Sequence, residues 1–76
     1  MPSNIELKIS GMTCGHCAQH VTEELTELNA ITNVMVELEP NGTSTVTAVV
    51  DGEVSDAELR EAVAEAGDYV VERIQR

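Results

Sequence analysis

Gly11-Met12-Thr13-Cys14-Gly15-His16-Cys17 holds the only two cysteines of the chain, three positions apart, and stands between two different hydrophobic patterns. Before it, Ile5, Leu7 and Ile9 alternate with Glu6, Lys8 and Ser10, the period of a strand buried on one face. After it, Cys17, Val21, Leu25 and Leu28 fall on one face of a helix, while Gln19, Glu23, Glu24 and Glu27 lie largely elsewhere on its surface. The stretch is therefore a turn from a strand into a helix. It sets both sulfurs near a helix N-terminus, where the helix dipole and backbone N–H groups lower a thiol's pKa toward neutrality. Thiolate is the form that binds metal or attacks a disulfide.

Working outward, helix one runs from Gly15 or His16 to about Asn29. Val34, Val36 and Leu38 alternate again, Pro40-Asn41-Gly42 supplies a turn in which Asn or Gly is free to take positive φ, and Val46, Ala48 and Val50 continue beyond it as a hairpin. Ser55-Asp56-Ala57-Glu58 reads as a capping box, with Ser55 at N-cap and Glu58 at N3. The helix it opens has Leu59, Ala62, Val63 and Ala66 as its apolar face and ends at Gly67 as a C-cap. Tyr69 to Ile74 reads as a last strand. The order β-α-β-β-α-β is a split βαβ in the α+β class, with two helices on one face of a four-stranded antiparallel sheet.

A length of 76 residues bounds the chain to one small domain, 1–76, with no room for a deep cleft. Aromatics make up 1% of it, Tyr69 alone, so the core is built from Val, Ile, Leu, Ala and Met. Four basic against 14 acidic residues give a net charge of −10, which argues against nucleic acid and anionic membrane surfaces and favours a positively charged partner face. The start, Met1-Pro2-Ser3-Asn4, lacks the basic and apolar regions of a signal peptide, and no apolar run approaches a membrane span, which points to the cytoplasm. In that reducing compartment a lone CxxC pair suits metal binding or catalysis better than a structural disulfide. Enzymatic function finds little support: no phosphate-cradling glycine loop, serine nucleophile motif or paired-carboxylate site is recognisable. The helix glutamates read as solvated faces, and Glu23, Glu24 and Glu27 as candidates for steering a basic partner.

Gly-Met-Thr-Cys-x-x-Cys after a first strand, at this length and in this element order, resembles the heavy-metal-associated domains, and within them the small bacterial cytoplasmic copper chaperones. The resemblance spans Ile5 through the Val70 region. It implies a ferredoxin-like fold, a Cu(I) ion held by Cys14 and Cys17, and handover to the matching domain of a copper-transporting P-type ATPase. It also implies a monomer when free of metal and leaves a metal-bridged homodimer open. The residue chemistry agrees, since soft thiolates select Cu(I) whereas Zn(II) takes three or four protein ligands. Thr13 supplies no carboxylate beside Cys14, where zinc-binding members of this family usually carry Asp. The resemblance places Met12 inward, as packing rather than as a third ligand. His16, between the cysteines, reads as an exposed group that tunes the thiols or dimerisation, and His20 as solvated.

Two points separate the chain from its look-alikes. Bacterial chaperones of this type usually carry Gly-Tyr after helix two, with the ring near the metal loop, whereas this chain reads Gly67-Asp68-Tyr69. Either a one-residue bulge returns Tyr69 to the loop, the reading favoured here, or Asp68 takes its place. Cys14-Gly15-His16-Cys17 also spells the active site of protein disulfide isomerases, yet Thr13 stands where those domains carry an aromatic, and Pro2 and Pro40 are not placed as their cis-proline. A regulatory or excised ATPase domain would share the motif. The initiating Met and the end at Arg76, just past the last strand, favour a stand-alone carrier.

Overall fold

The alternation of apolar and polar residues at Ile5, Leu7 and Ile9 becomes strand β1, Ser3–Ser10, whose inward side chains are almost wholly buried. A computed structural model describes residues 3–76, and the reading made above of Met1 and Pro2 lies outside the described residues. After β1 come helix α1 (Gly15–Thr26), strands β2 (Ile31–Glu37) and β3 (Thr43–Val50), helix α2 (Asp56–Ala66) and strand β4 (Val70–Gln75). The expected βαββαβ order and α+β class are both present. The four strands form one antiparallel sheet in the order β2-β3-β1-β4.

The helices pack on each other, α1 also on β2 and α2 also on β4. Between them and the sheet lies an aliphatic core in which Val21, Leu25, Leu59 and Val63 meet Leu7, Ile9 and Val46, all at 1% exposure or less. Burying each such side chain contributes about 1.5–3 kcal/mol, so fourteen buried apolar residues hold the sheet to the helices without a ring among them. The other face of the sheet carries no helix. There Lys8 Nζ donates to Thr45 Oγ1 at 2.7 Å and pairs with Glu6 at 3.4 Å.

The end of α1 and the β2–β3 turn differ from the sequence expectation, each for a local reason, while Gly67 caps α2 as expected in an unexpected conformation. Helix α1 stops at Thr26 rather than Asn29: the Thr26 hydroxyl donates to Glu23 O at 3.0 Å, and Leu28 N–H closes on Leu25 O at 3.1 Å, a tighter three-residue turn that redirects the chain into β2. The β2–β3 connection needs no positive φ, for neither Asn41 nor Gly42 adopts one. Instead Gly42 N–H donates to Glu39 O at 3.1 Å, with Pro40 in the second position of the turn, where its fixed φ belongs. Gly67 does end α2, but at φ 159° and ψ −170°, near full extension rather than in the left-handed conformation of a Schellman cap.

The N-terminus of α2 forms as the sequence indicates. Ser55 Oγ accepts from Glu58 N–H at 3.1 Å, and Glu58 Oε1 accepts from Ser55 N–H at 3.2 Å. Val54 and Leu59, both buried, occupy the staple positions on either side of this box. Ser55→Ala removes the N-cap acceptor and is expected to lower stability by about 1 kcal/mol, read as a lower urea midpoint at unchanged slope by far-ultraviolet circular dichroism.

Candidate metal centre

The centre is built where β1 turns into α1. Gly11 leaves the strand at φ +95°, a backbone conformation that a side chain would strain. Met12 then turns wholly inward, with no exposed surface, and joins the core cluster. Thr13 and Cys14 consequently ride on the outside. Cys14 is the N-cap of α1 in extended geometry, φ −154° and ψ 170°, and its carbonyl accepts from Cys17 N–H at 3.1 Å and Ala18 N–H at 3.3 Å. The Cys14 side chain does not cap this helix, and its sulfur turns instead toward Cys17 Sγ.

Both cysteines are reduced, with Cys14 exposed and Cys17 half-buried at the start of the α1 core face. Their sulfurs are 3.4 Å apart, far beyond the roughly 2.05 Å of a disulfide. The Cys17 thiol is held down from 9.0 to about 6, first by the Tyr69 hydroxyl, then by the Thr13 backbone amide and by Cys14. The same encounter pushes the Tyr69 hydroxyl up from 10.0 to about 12, first through its interaction with Cys17 and then through partial desolvation of the ring.

Tyr69 reaches this position through a bulge. Lys8 pairs with Arg73 but Ile9 pairs with Val71, which leaves Glu72 as the extra residue on β4. The shift puts Val70 opposite Ser10 and brings Tyr69 alongside Gly11, with Tyr69 Cδ1 3.7 Å from where a Gly11 Cβ would stand. Of the two arrangements left open by Gly67-Asp68-Tyr69, the structure has the bulge. Glu72 is held there by Ser10 Oγ, which donates to Glu72 Oε2 at 2.7 Å. Asp68 is exposed and does not figure among the causes acting on Cys17.

His16 and His20 are both exposed on α1. Among the described residues no group of three or more His, Cys, Asp or Glu side chains converges on a metal-sized space. The residues that sequence reasoning passed over are Gly67, taken only as a helix end, and the Thr13 amide. The signal for the bulge was present in the order of apolar residues: Tyr69, Val71 and Ile74 all face inward in part, and the three-residue step from Val71 to Ile74 breaks the strand's period of two.

Glu24, Glu27, Glu58, Glu61 and Glu65 rim a groove between the helices floored by Leu28 and Ala62. Partial burial, reinforced by repulsion from Glu27 and Glu65, raises the Glu24 carboxyl above its ordinary value.

These features define a ferredoxin-like α+β domain with an exposed, reduced dithiol on its first strand-to-helix turn. The chain belongs to the heavy-metal-associated domain family, whose description matches residues 6–68. It is 34% identical over 65 residues to the copper chaperone CopZ of Staphylococcus aureus strain MRSA252, an alignment covering 86% of this chain and 93% of that one. Among solved structures it resembles the Cu(I)-loaded N-terminal domain of a potential copper-translocating P-type ATPase from Bacillus subtilis, with a TM-score of 0.76, 28% identity, and coverage of 99% of this chain and 92% of that one. It also resembles the yeast copper transporter domain Ccc2a, solved in apo and Cu(I)-loaded states, with a TM-score of 0.73, 25% identity and coverage of 92% and 94%.

Tyr69→Phe removes the largest influence on Cys17 and is expected to raise its thiol from about 6 toward 9.0. The sign follows from linkage. A thiol depressed by folding adds stability that is full above its unfolded value and is lost as pH falls through the folded one, so the variant is relatively less stable at pH 9 and indistinguishable below pH 6. Thiolate absorbance near 240 nm and urea midpoints across that range measure the two effects.

Proposed function

We propose that this chain is a cytoplasmic copper chaperone that holds Cu(I) between Cys14 Sγ and Cys17 Sγ and passes it, by thiolate exchange, to the metal-binding domain of a copper-transporting P-type ATPase. The observation that carries this reading is the reduced pair on the first strand-to-helix turn, its sulfurs 3.4 Å apart and Cys14 exposed, with the Cys17 thiol lowered to about 6. Two soft sulfurs and nothing else suit a low-coordinate monovalent ion; Zn(II) asks for further ligands. Taking the Zn–S length of about 2.3 Å as the scale of a metal–thiolate bond, a linear ion would hold the sulfurs roughly 4.6 Å apart. Loading therefore opens the pair by about 1 Å, a change the exposed Cys14 side chain supplies by rotation.

Transfer follows from the asymmetry of the two sulfurs. An incoming acceptor thiolate adds to the ion from the solvent side, where Cys14 stands, giving three sulfur ligands. Cys14 then leaves, Cys17 follows, and a second acceptor sulfur replaces it. No electron changes hands, and the protein acts as a carrier over residues 1–76 rather than as a catalyst. Met12 packs the loop from below, Thr13 contributes its backbone amide, and His16 stays an exposed neighbour without a ligand role. The carrier is a monomer without metal, and the family relatives that are ATPase domains support the choice of acceptor. Among the described residues no helix is long and apolar enough to cross a membrane.

A thiol-disulfide oxidoreductase would use the same pair, but the sulfur held as thiolate here is the less exposed one, poorly placed to reach a disulfide in another protein.

Anaerobic titration of the reduced protein with Cu(I) against a competing chelator is expected to show one tightly held ion per monomer or per dimer. Cys14→Ser together with Cys17→Ser should abolish it, with Zn(II) bound far more weakly. Weak Cu(I) binding combined with turnover of a disulfide substrate would reassign the protein to the oxidoreductases. The glutamates on α1 and α2 steer docking onto a basic acceptor surface, so the association rate measured by stopped flow should fall as salt shortens the Debye length below about 8 Å. A rate insensitive to salt would remove the steering role.

A further inference from the structure

We propose that Ser10 and Glu72 are positioning residues of the metal centre: their hydrogen bond fixes the β4 bulge that holds Tyr69 against Gly11, and so sets how readily the cysteine loop opens to release its cargo. Ser10 Oγ donates to Glu72 Oε2 at 2.7 Å, across 62 positions of sequence. Ser10 is the last residue of β1 before the loop begins, and Glu72 is the residue that the β1–β4 ladder leaves over. One bond therefore joins the root of the loop to the irregularity in the neighbouring strand. Arg60 of α2 pins the adjoining position, its Nη1 donating to Val71 O at 3.0 Å. The bulge is thus gripped from two sides, by β1 at Glu72 and by α2 at Val71.

Register decides where the ring lies. In an unbulged ladder Glu72 would stand opposite Ile9, on the face that packs against the helices, and Tyr69 would slide one residue past Gly11. Burying that carboxylate is costly, so the apolar pattern dictates that a bulge exists. The Ser10 hydroxyl dictates how firmly it is held, because β4 is an edge strand with a neighbour on one side only. With the bulge in place, a Cβ on Gly11 would stand 3.7 Å from Tyr69 Cδ1, 3.8 Å from Tyr69 Cα and 3.7 Å from Asp68 O. The start of β4 therefore lies flush against the bend at φ +95° where the loop leaves β1. On its other edge the ring folds over Gly67, where a Cβ would stand 2.9 Å from Cε2. Tyr69 is wedged between two glycines, and the position of β4 is passed to the loop through packing. Loosening the bulge lets the wedge rock and frees the bend from which Met12, Thr13 and Cys14 follow.

The inference rests on the reading of the loop as a metal site for its bearing on release, and the first arm of its test uses no metal. In the reduced, metal-free chain, NMR reads the Overhauser contact between the Tyr69 ring and Gly11 Hα, and the hydrogen exchange of the Met12 and Thr13 amides. Ser10→Ala is expected to weaken the contact and speed the exchange several-fold, and Ser10→Thr, which keeps the hydroxyl, to restore both. Glu72→Ala should match Ser10→Ala, and the double variant should go no further than either single one, since both remove the same bond. Ser55→Ala removes the distant cap of α2 without touching the bulge, so it should lower stability and leave the contact and the loop exchange as they are. An unchanged contact in Ser10→Ala, an equal effect of Ser55→Ala, or additive effects of Ser10→Ala and Glu72→Ala would each overturn the proposal. In the second arm the Cu(I)-loaded chain is mixed with an excess of a Cu(I) chelator by stopped flow. Ser10→Ala should release the ion several-fold faster than Ser10→Thr, and equal rates overturn the proposal too. A chain that takes up no Cu(I) at all sinks the carrier reading instead, and the first arm still decides.

Discussion

Met12 lies under the β1–α1 turn with no exposed surface, and the arrangement of the cysteine loop depends on that anchorage. Pulling one flexible, unbranched side chain into an aliphatic core fixes the turn from below, at a gain of about 1.5–3 kcal/mol for the burial. With Gly11 bending the chain at φ +95° just before it, the next residues have to emerge on the outside. Cys14 is thereby set in solvent, and Cys17, one helical turn on, rests against the edge of the core. The two sulfurs differ in exposure because one belongs to the loop and the other to the buried face of the helix.

The stabilisation of Cys17 as an anion draws on no positive charge. In a chain of net charge −10 the cations are few, and three of the four Lys and Arg side chains are engaged away from the cysteines. Lys8 lies on the bare sheet face with Thr45 and Glu6, Arg60 donates to Val71 O, and Arg76 is bound by Asp56 and by Val54 O. Neutral donors take over: a phenol and backbone amides. This choice has a chemical consequence, since a cation beside the pair would hold a thiolate by long-range attraction whatever its geometry, whereas a hydroxyl or amide acts only within hydrogen-bond reach. Local geometry, and not overall charge, is what lowers this thiol.

Much of this was legible in the sequence, and the reasons are physical. The strand and helix periods, the Ser55 capping box and the buried alternation of Val46, Ala48 and Val50 are local patterns, each carried by a few consecutive residues. The cysteine pair was found because its spacing alone implies shared chemistry. The parts that escaped depend on contacts between distant segments. The end of α1 was set by a threonine hydroxyl competing for a carbonyl, and the turn at Pro40 by a proline that made positive φ unnecessary. The β4 bulge was expected but its place at Glu72 was not, because register between β1 and β4 joins residues more than sixty positions apart. Gly67 looked like a helix stop, and only the position of the Tyr69 ring shows what its missing Cβ makes room for.

Helix α1 begins on Cys14 without a side chain to cap it and with no acidic residue in its first turn. Most helices settle their N-terminal amides with Ser, Thr, Asp or Asn. Here that position is given to sulfur, and the Cys17 thiol, lowered to about 6 in the first turn, is the one acid the chain itself offers to the partial positive charge at this end of the helix. The first turn of α1 thus holds the very group whose charge changes with protonation, so helix order and the state of Cys17 are linked quantities.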